Sequence, residues 1–307
     1  MTTENRKPKT ENRFKCGYIA LIGYPNVGKS TLLNRLVGEK LAITSPKPQT
    51  TRFRLLGIVN LPEAQLLFLD TPGVLEPKGS ILNRTLVQAA LTALNEADVV
   101  VWLTEPRSPD LRDTVLLPHL RQLRRPLIVA INKVDTVSKP KLLPLMQAYH
   151  ELFPAAPIIP VSALMGDGVD ALQTEIVLRL PAGAALYPPD QETEATERFL
   201  VGELIRERVL HHAKEEVPHA VAVEVEEFDE SDRPRLVRIR AVIYVERDSQ
   251  KAIIIGKQGR MLKILGAEAR KEIEDLLGAH VFLDLWVKVW KNWRKDPRAL
   301  RTLGYQR

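Results

Sequence analysis

The sequence holds a single cysteine, Cys16, in 307 residues. One thiol excludes an intramolecular disulfide framework and any thiolate metal cluster, and it fits a reducing compartment. We read Cys16 as a small residue at the edge of a strand, not as a reactive thiol. Long apolar runs are also missing: none approaches 18 residues, so no membrane-spanning helix is expected. Residues 1–15 are polar and mixed in charge, with no apolar signal core behind them, and read as a flexible tail. Histidine is scarce as well. Of the six, His211 and His212 are adjacent, so they point in different directions and read as surface residues without metal-ligand spacing.

With 45% hydrophobic and 27% charged residues, the composition is that of a globular protein, and the length suits two domains. The net charge of +6 is unevenly spread. Residues 251–307 carry 13 Lys and Arg against 6 Asp and Glu, whereas residues 197–250 carry 9 against 13. The C-terminal fifth is therefore the end that would attract a polyanion.

Within residues 18–180, apolar strand-like runs recur at 18–22, 65–69, 98–103, 127–131 and 158–161, with an additional strand expected at 53–59. Helical patterns at 81–95 and 139–152 lie between them. Continuous apolar strands alternating with helices predict a doubly wound, mostly parallel α/β sheet. Ligands of such sheets sit at the carboxyl ends of the strands, and the chemistry-bearing residues follow the strands here. After the first run comes Gly23-Tyr24-Pro25-Asn26-Val27-Gly28-Lys29-Ser30-Thr31, opening a helix. Its glycines let backbone N–H groups wrap a phosphate, Lys29 reaches the β- and γ-phosphates, and the Ser30 hydroxyl can take a Mg²⁺ position. Chance alone would produce that spacing in roughly 1% of chains this long.

Asp70-Thr71-Pro72-Gly73 follows the run at 65–69. Asp70 can hold Mg²⁺ through a water, and the Gly73 N–H can bond the γ-phosphate. Asn132-Lys133-Val134-Asp135 follows the run at 127–131. The Asp135 carboxylate can accept two parallel hydrogen bonds from guanine, a pair that adenine does not offer. Asn132 would brace the loop, and the Lys133 stem would cover the base. Ser162-Ala163-Leu164 comes last, with the Ala163 N–H available to the base carbonyl.

These four elements in this order resemble the translation-factor-related family of small P-loop GTPases. The resemblance implies GTP and GDP as ligands, Mg²⁺ as cofactor, and Lys29, Thr51, Asp70 and Gly73 as the residues acting on the γ-phosphate. Within it, residues 45–52 (Ser-Pro-Lys-Pro-Gln-Thr-Thr-Arg) correspond to the first switch segment, where a threonine ligates Mg²⁺. Position favours Thr51 over Thr50 without settling the choice. Val74 stands where many small GTPases place a water-orienting glutamine, which implies slow intrinsic hydrolysis. Asn26 matches relatives that use a bound K⁺, or else it only shapes the turn.

Residues 181–196 contain three prolines, a glycine and three acidic residues, and read as a linker between a domain at 16–180 and another at 197–307. In the second, a helix from 197 to about 215 precedes alternating segments at 220–228 and 236–245, which predict a β-hairpin. Next come Ile255-Gly256-Lys257-Gln258-Gly259-Arg260, a helix over 261–277 that includes Lys263, and a strand at 280–289. The order α-β-β-α-α-β around G-x-x-G is that of a type II KH domain, whose loop clamps a single-stranded nucleic-acid backbone. Trp286 is expected in the core, whereas Trp293, among Lys291, Arg294 and Lys295, reads equally as core or as a base-stacking platform.

One GTPase half, a short linker and a C-terminal KH half are together similar to the bacterial Era family. That resemblance implies a monomeric ribosome-assembly GTPase of the cytoplasm. It would bind 16S ribosomal RNA near its 3′ end on the 30S subunit under control of the nucleotide, with peripheral membrane association through its basic tail as a further expectation. The competing reading is an RNA-binding module for which nucleotide is a structural ligand only.

Overall fold

The computed structural model describes residues 14–76, 79–109 and 115–305. Most of the expected tail lies outside the described residues. Lys15, assigned to that tail, instead opens the first strand, and its ammonium donates to the Val177 carbonyl at 2.7 Å.

Six strands form the first sheet: β1 (Lys15–Gly23), β2 (Leu55–Asn60), β3 (Ala64–Asp70), β4 (Val99–Thr104), β5 (Leu127–Ile131) and β6 (Ile158–Pro160). Their spatial order is β2-β3-β1-β4-β5-β6, with β2 antiparallel to β3 and the rest parallel. Helices α1 (Lys29–Val37), α2 (Ile81–Glu96), α3 (Leu117–Arg121), α4 (Lys139–Leu152) and α5 (Val169–Arg179) cover its two faces. Separate apolar clusters result, one around Leu21, Leu33 and Phe68 and the other around Ile22, Trp102 and Tyr149. Burial on both sides is why the strands are continuously apolar. The parallel ladder also brings the carboxyl ends of β1, β3 and β5 to one edge, together with the loops that follow them.

The second half opens with α6 (Glu197–His212), capped by the Thr196 hydroxyl on the Phe199 N–H, followed by a short α7 (Val217–Ala220). Strands β7 (Ala222–Asp232) and β8 (Leu236–Val245) form the hairpin, helices α8 (Asp248–Ile255) and α9 (Arg260–Leu277) follow, and β9 (Val281–Val289) pairs parallel to β8. The first hairpin strand extends four residues past its predicted end, with register shifts at Val225/Glu227 and Asp229/Asp232. Helix α9 buries Leu265, Ala269, Ile273 and Leu277, one residue per turn, and Gly278 ends it in the left-handed region.

Trp286 is a correction: it is 55% exposed, not core. Alternation along β9 turns Val281 and Val287 toward the helices and Phe282 and Trp286 to the opposite, open face. Trp293 is fully buried, with its indole N–H on the Ala220 carbonyl at 2.9 Å, which excludes it as a stacking platform. It anchors a last helix, α10 (Pro297–Thr302), whose Ala299 and Leu300 pack with Leu82 and Leu86 of α2. The C-terminus therefore folds back on the first half.

The stretch between the halves is not a loose tether. The Ile58 N–H donates to the Glu192 carbonyl at 2.7 Å, and the Thr193 hydroxyl donates to the Leu56 carbonyl at 2.6 Å. Residues 192–193 thus lie along the outer edge of β2, a row of backbone groups that would otherwise be open to pairing.

Candidate nucleotide and nucleic-acid sites

The turn between β1 and α1 is shaped around its glycines. Gly28 has φ +99°, and a Cβ there would sit 2.2 Å from the Asn132 amide nitrogen, so only glycine allows that approach. Asn132 uses the closeness: its amide donates to the Val27 carbonyl at 2.7 Å, and its Oδ1 accepts from the Ala163 N–H at 2.9 Å. One buried side chain thereby ties the phosphate loop to the last of the four motifs. The same bond changes one expectation. The Ala163 N–H, read as meeting a base carbonyl, is directed to Asn132, which its own bond to Val27 holds within reach. The Asp135 carboxylate accepts from the Ser162 hydroxyl at 2.6 Å, which fixes its orientation. Lys133, at φ +66°, pairs with Glu105 at 2.7 Å, while Leu164 is exposed beside Ala163.

Lys29 is buried, with its ammonium on the carbonyls of Gly23 at 3.3 Å and Tyr24 at 3.1 Å. Burial brings its pKa down to about 8, against the opposing pull of Asp70. A phosphate arriving there would meet a cation already desolvated and aimed. The Thr31 backbone and the N-terminus of α1 face the same place, beneath Pro25 and Asn26.

Three oxygens from three segments converge beside Lys29. The Ser30 hydroxyl donates to Asp70 Oδ2 at 2.7 Å and lies 2.8 Å from the Thr51 hydroxyl, which itself is 3.4 Å from Asp70 Oδ2. Thr50 is turned away, its hydroxyl on the Lys47 carbonyl at 2.7 Å and beside Ser45. Asp70 is fully buried, burial raises its pKa, and its Oδ1 has no hydrogen-bond partner. An orphaned buried carboxylate oxygen among hydroxyls is a donor set suited to a hard cation such as Mg²⁺. Thr71 and Pro72 are buried behind Asp70, with the Thr71 hydroxyl on the Leu21 carbonyl. Gly73 lies against Pro25, so the two loops close on the same cavity.

In the second half, Gly256 and Gly259 have φ +71° and +76°, with Gln258 also left-handed at +52°. The resulting turn hands the chain directly to α9, whose Arg260 N–H returns to the Lys257 carbonyl and whose N-cap, Gly259, has no side chain to take up the other N–H groups of the first turn. Lys257, Gln258, Arg260 and Lys263 are exposed, Ile255 is half-buried, and Ile253 shows half its surface beside them. The three cations have no ion pair among the described residues. A polyanion backbone would find N–H donors, cations and an apolar neighbour together.

Residues 18–133 match the family described as 50S ribosome-binding GTPase, and residues 216–294 match the KH domain. The chain is 48% identical over 297 residues to GTPase Era of Geobacter metallireducens, covering 96% of this chain and 99% of that one. Its fold matches the crystal structure of Era in complex with MgGDPNP and nucleotides 1506–1542 of 16S ribosomal RNA with a TM-score of 0.93 at 42% identity, over 96% of this chain and all of that one. A variant of Aquifex aeolicus Era bound to GDP and AlF4⁻ matches equally well, at a TM-score of 0.93, 42% identity and the same coverage.

The chain belongs to the Era family of GTPases.

What the motifs did not reveal in this Era-family GTPase is how the second half grips the first switch segment. Arg52 is 3% exposed and donates to the carbonyls of Val221, Pro218 and His219 around α7, with its guanidinium 5.9 Å from the Trp293 ring centroid. Arg206 of α6, 1% exposed, donates to the Thr50 carbonyl and pairs with Glu203. Glu207 beside it accepts from the Thr44 N–H at 2.7 Å and from Lys40 at 2.6 Å. Arg206 and Glu207 lie more than 150 positions from Thr50, Thr44 and Lys40, and charged residues in a helix ordinarily read as a solvated face. The one available signal was their place between the apolar pairs Leu204-Ile205 and Val209-Leu210, all four of which are buried.

Proposed function

We propose that this chain is a GTP-hydrolysing switch that binds 16S ribosomal RNA near its 3′ end through its KH half and acts in 30S subunit biogenesis. The observation that carries this reading is the position of Thr51. Its hydroxyl meets Ser30 and Asp70 where a Mg²⁺–triphosphate would lie, while Thr50 and Arg52 on either side are held by α6 and α7 of the KH half. A segment gripped from both directions links γ-phosphate occupancy to the placement of the RNA loop.

In this reading the GTPase domain runs from Lys15, the first residue of β1, to residue 180, with residues 181–196 the connection and residues 197–307 the KH domain. Gly23 to Thr31 hold the phosphates, Lys29 reaches the β- and γ-phosphates, and Ser30, Thr51 and Asp70 hold Mg²⁺. The Gly73 N–H reports the γ-phosphate, while Asn132, Lys133, Asp135 and the 162–164 loop form the guanine pocket. Mg²⁺ supplies charge neutralisation on the phosphates when bound. Asn26 donates to the Pro46 carbonyl at 2.8 Å, which leaves its Oδ1 for a K⁺. Residues 255–260 and Lys263 bind the RNA.

No helix among the described residues is long and apolar enough to cross a membrane. The proposal places the protein in the cytoplasm as a monomer, with peripheral contact at the inner membrane face.

The deciding experiment measures GTP turnover in Mg²⁺ with K⁺ or Na⁺, with and without a 16S 3′-end RNA fragment. Turnover that rises with the fragment, and fragment affinity that differs between a GTP analogue and GDP, are the expected results. Equal affinity in both nucleotide states with no turnover would establish the RNA module with a merely structural nucleotide.

A further inference from the structure

Hydrolysis needs a group that orients the attacking water, and Val74 does not supply one. It is 3% exposed, packs in the apolar cluster with Ile22 and Val87, and donates its N–H to the Gly23 carbonyl at 3.0 Å. An aliphatic side chain turned into the core offers no acceptor to the phosphate cavity.

Apart from Thr31 at the start of α1, the other polar side chains lining that cavity are already engaged. Lys29 lies on the loop carbonyls, Ser30 and Thr51 point at Asp70, and the hydroxyls of Ser45 and Thr50 bond to each other at 2.7 Å. Thr44 is drawn to Glu207, and Asn26 donates to Pro46. Gln49 differs. It lines the phosphate cavity with Thr51 and Gly73, and it also lines the adjoining cleft bounded by Pro72, Gly73 and Asn83. Its carboxamide therefore stands at the corner beside Gly73, on the side where the γ-phosphate would end.

Its orientation is set from behind. Gln49 Nε2 donates to Asn83 Oδ1 at 3.1 Å, and Asn83 is held by Ser80, the N-cap of α2, whose hydroxyl donates to the same Oδ1 at 3.2 Å and accepts from the Asn83 N–H. With the amide nitrogen engaged, Gln49 Oε1 accepts no hydrogen bond from the described residues. The backbone at Gln49 has φ +63°, a left-handed conformation that a glutamine seldom adopts and that here directs the side chain across the cavity.

We propose that Gln49, supplied by the first switch segment, is the water-orienting residue of GTP hydrolysis in this chain, with Asn83 as its positioning residue. This rests on the GTPase reading above and adds the group that reading lacks. Gln49 Oε1 accepts a hydrogen bond from the attacking water. The bond from the water oxygen to the γ-phosphorus forms as the bond to the β–γ bridging oxygen breaks, with that electron pair leaving on GDP and the water proton leaving on the phosphate. The carboxamide stays neutral and gives up no proton, so its contribution is orientation. Because Gln49 is two residues from Thr51, water orientation and the Mg²⁺ ligand would arrive together when the segment closes.

The test uses the full chain with Gln49→Ala and the length-matched Gln49→Met, in Mg²⁺ and K⁺. Both should lower kcat on the order of 10²-fold with KM nearly unchanged. Affinity for GDP and for a non-hydrolysable GTP analogue should stay within about threefold of wild type, while affinity for GDP with AlF4⁻ falls in parallel with kcat. Asn83→Ala should show the same pattern at roughly a tenth of the size. Wild-type kcat in either Gln49 variant, or undiminished binding of GDP with AlF4⁻, overturns the proposal. So does a loss of analogue affinity as large as the loss of kcat, which would make Gln49 a binding residue. Absence of turnover in the wild-type chain would instead bring down the underlying GTPase reading and this proposal with it.

Discussion

The buried carboxylate of Glu207, on the first helix of the KH half, accepts the backbone N–H of Thr44 at 2.7 Å. Thr44 immediately precedes the switch segment, residues 45–52, and Arg206, next to Glu207, reaches the Thr50 carbonyl. Two consecutive residues of one helix thus hold both ends of the switch segment. Since each bond exists only when the segment and α6 are docked, anything that moves one end must break or remake contacts with the other half.

A pH-dependent contribution follows from Glu207. Burial alone would raise its pKa, but the Lys40 ammonium, the Thr44 N–H and Arg208 outweigh it and hold the carboxyl below its ordinary value. A depressed folded pKa stabilises the fold fully above the unfolded value of about 4.3 and loses that contribution as pH falls through the folded one. Glu207→Gln should therefore cost about 1–3 kcal/mol at pH 7. The gap from wild type should hold down to about pH 5 and close below about pH 4. Urea unfolding from pH 3 to 8 checks this, and a gap that widened toward acid would contradict the assigned direction.

Arg206→Lys should separate RNA binding from nucleotide state. A lysine retains the charge but cannot bridge Glu203 and the Thr50 carbonyl with one planar fork. The ratio of RNA-fragment affinities in GTP analogue and in GDP should move toward one in this variant. Coupling of roughly 5- to 150-fold is the range within which the wild-type ratio should fall. The measurement is fluorescence titration of the fragment in both nucleotide states, and an unchanged ratio would detach α6 from the switch.

The two adjacent threonines should behave differently. Thr51→Ala removes a hydroxyl from the cluster with Ser30 and Asp70, so GTP-analogue affinity should fall roughly 10-fold in Mg²⁺ with little change for GDP. Thr50→Ala loses only the local bonds to Lys47 and Ser45 and should leave that ratio near wild type. Isothermal titration with and without Mg²⁺ distinguishes them, and equal effects would remove Thr51 from the proposed metal shell.

At the RNA loop the two glycines are not equivalent. A Cβ on Gly256 would come within 2.7 Å of Met261, whereas one on Gly259 meets nothing within 4 Å. Gly259→Asp is therefore the cleaner probe, placing negative charge against the phosphates with less disturbance of the turn. It should reduce RNA affinity by about tenfold or more and leave GTP binding intact, while Lys257→Ala should lower the slope of log affinity against log salt by about one. Filter binding across a salt series reports both, and unaltered RNA affinity in Gly259→Asp would displace the clamp from this loop.

The motifs after β1, β3 and β5 were legible because each is contiguous in the chain and a parallel sheet brings strand ends to one edge wherever the intervening helices fall. Thr50 and Thr51 were not separable from sequence, since neighbouring hydroxyls differ only in which way the folded segment turns them. Trp286 and Trp293 were misread or left open for a related reason. Burial of an aromatic depends on what the other face of its strand meets, and α7, which receives Trp293, and α10, which packs beside it, had no signal of their own.

By itself, then, the sequence determined a phosphate loop beginning at Gly23, its guanine-reading partners and a nucleic-acid clamp at Gly256 to Gly259, because local spacing and backbone freedom specify each. Only the tertiary structure decided that Arg52, Arg206 and Glu207 join them. Those bonds link positions more than 150 residues apart, and they form between charged groups whose burial depends on two halves closing over the segment between them.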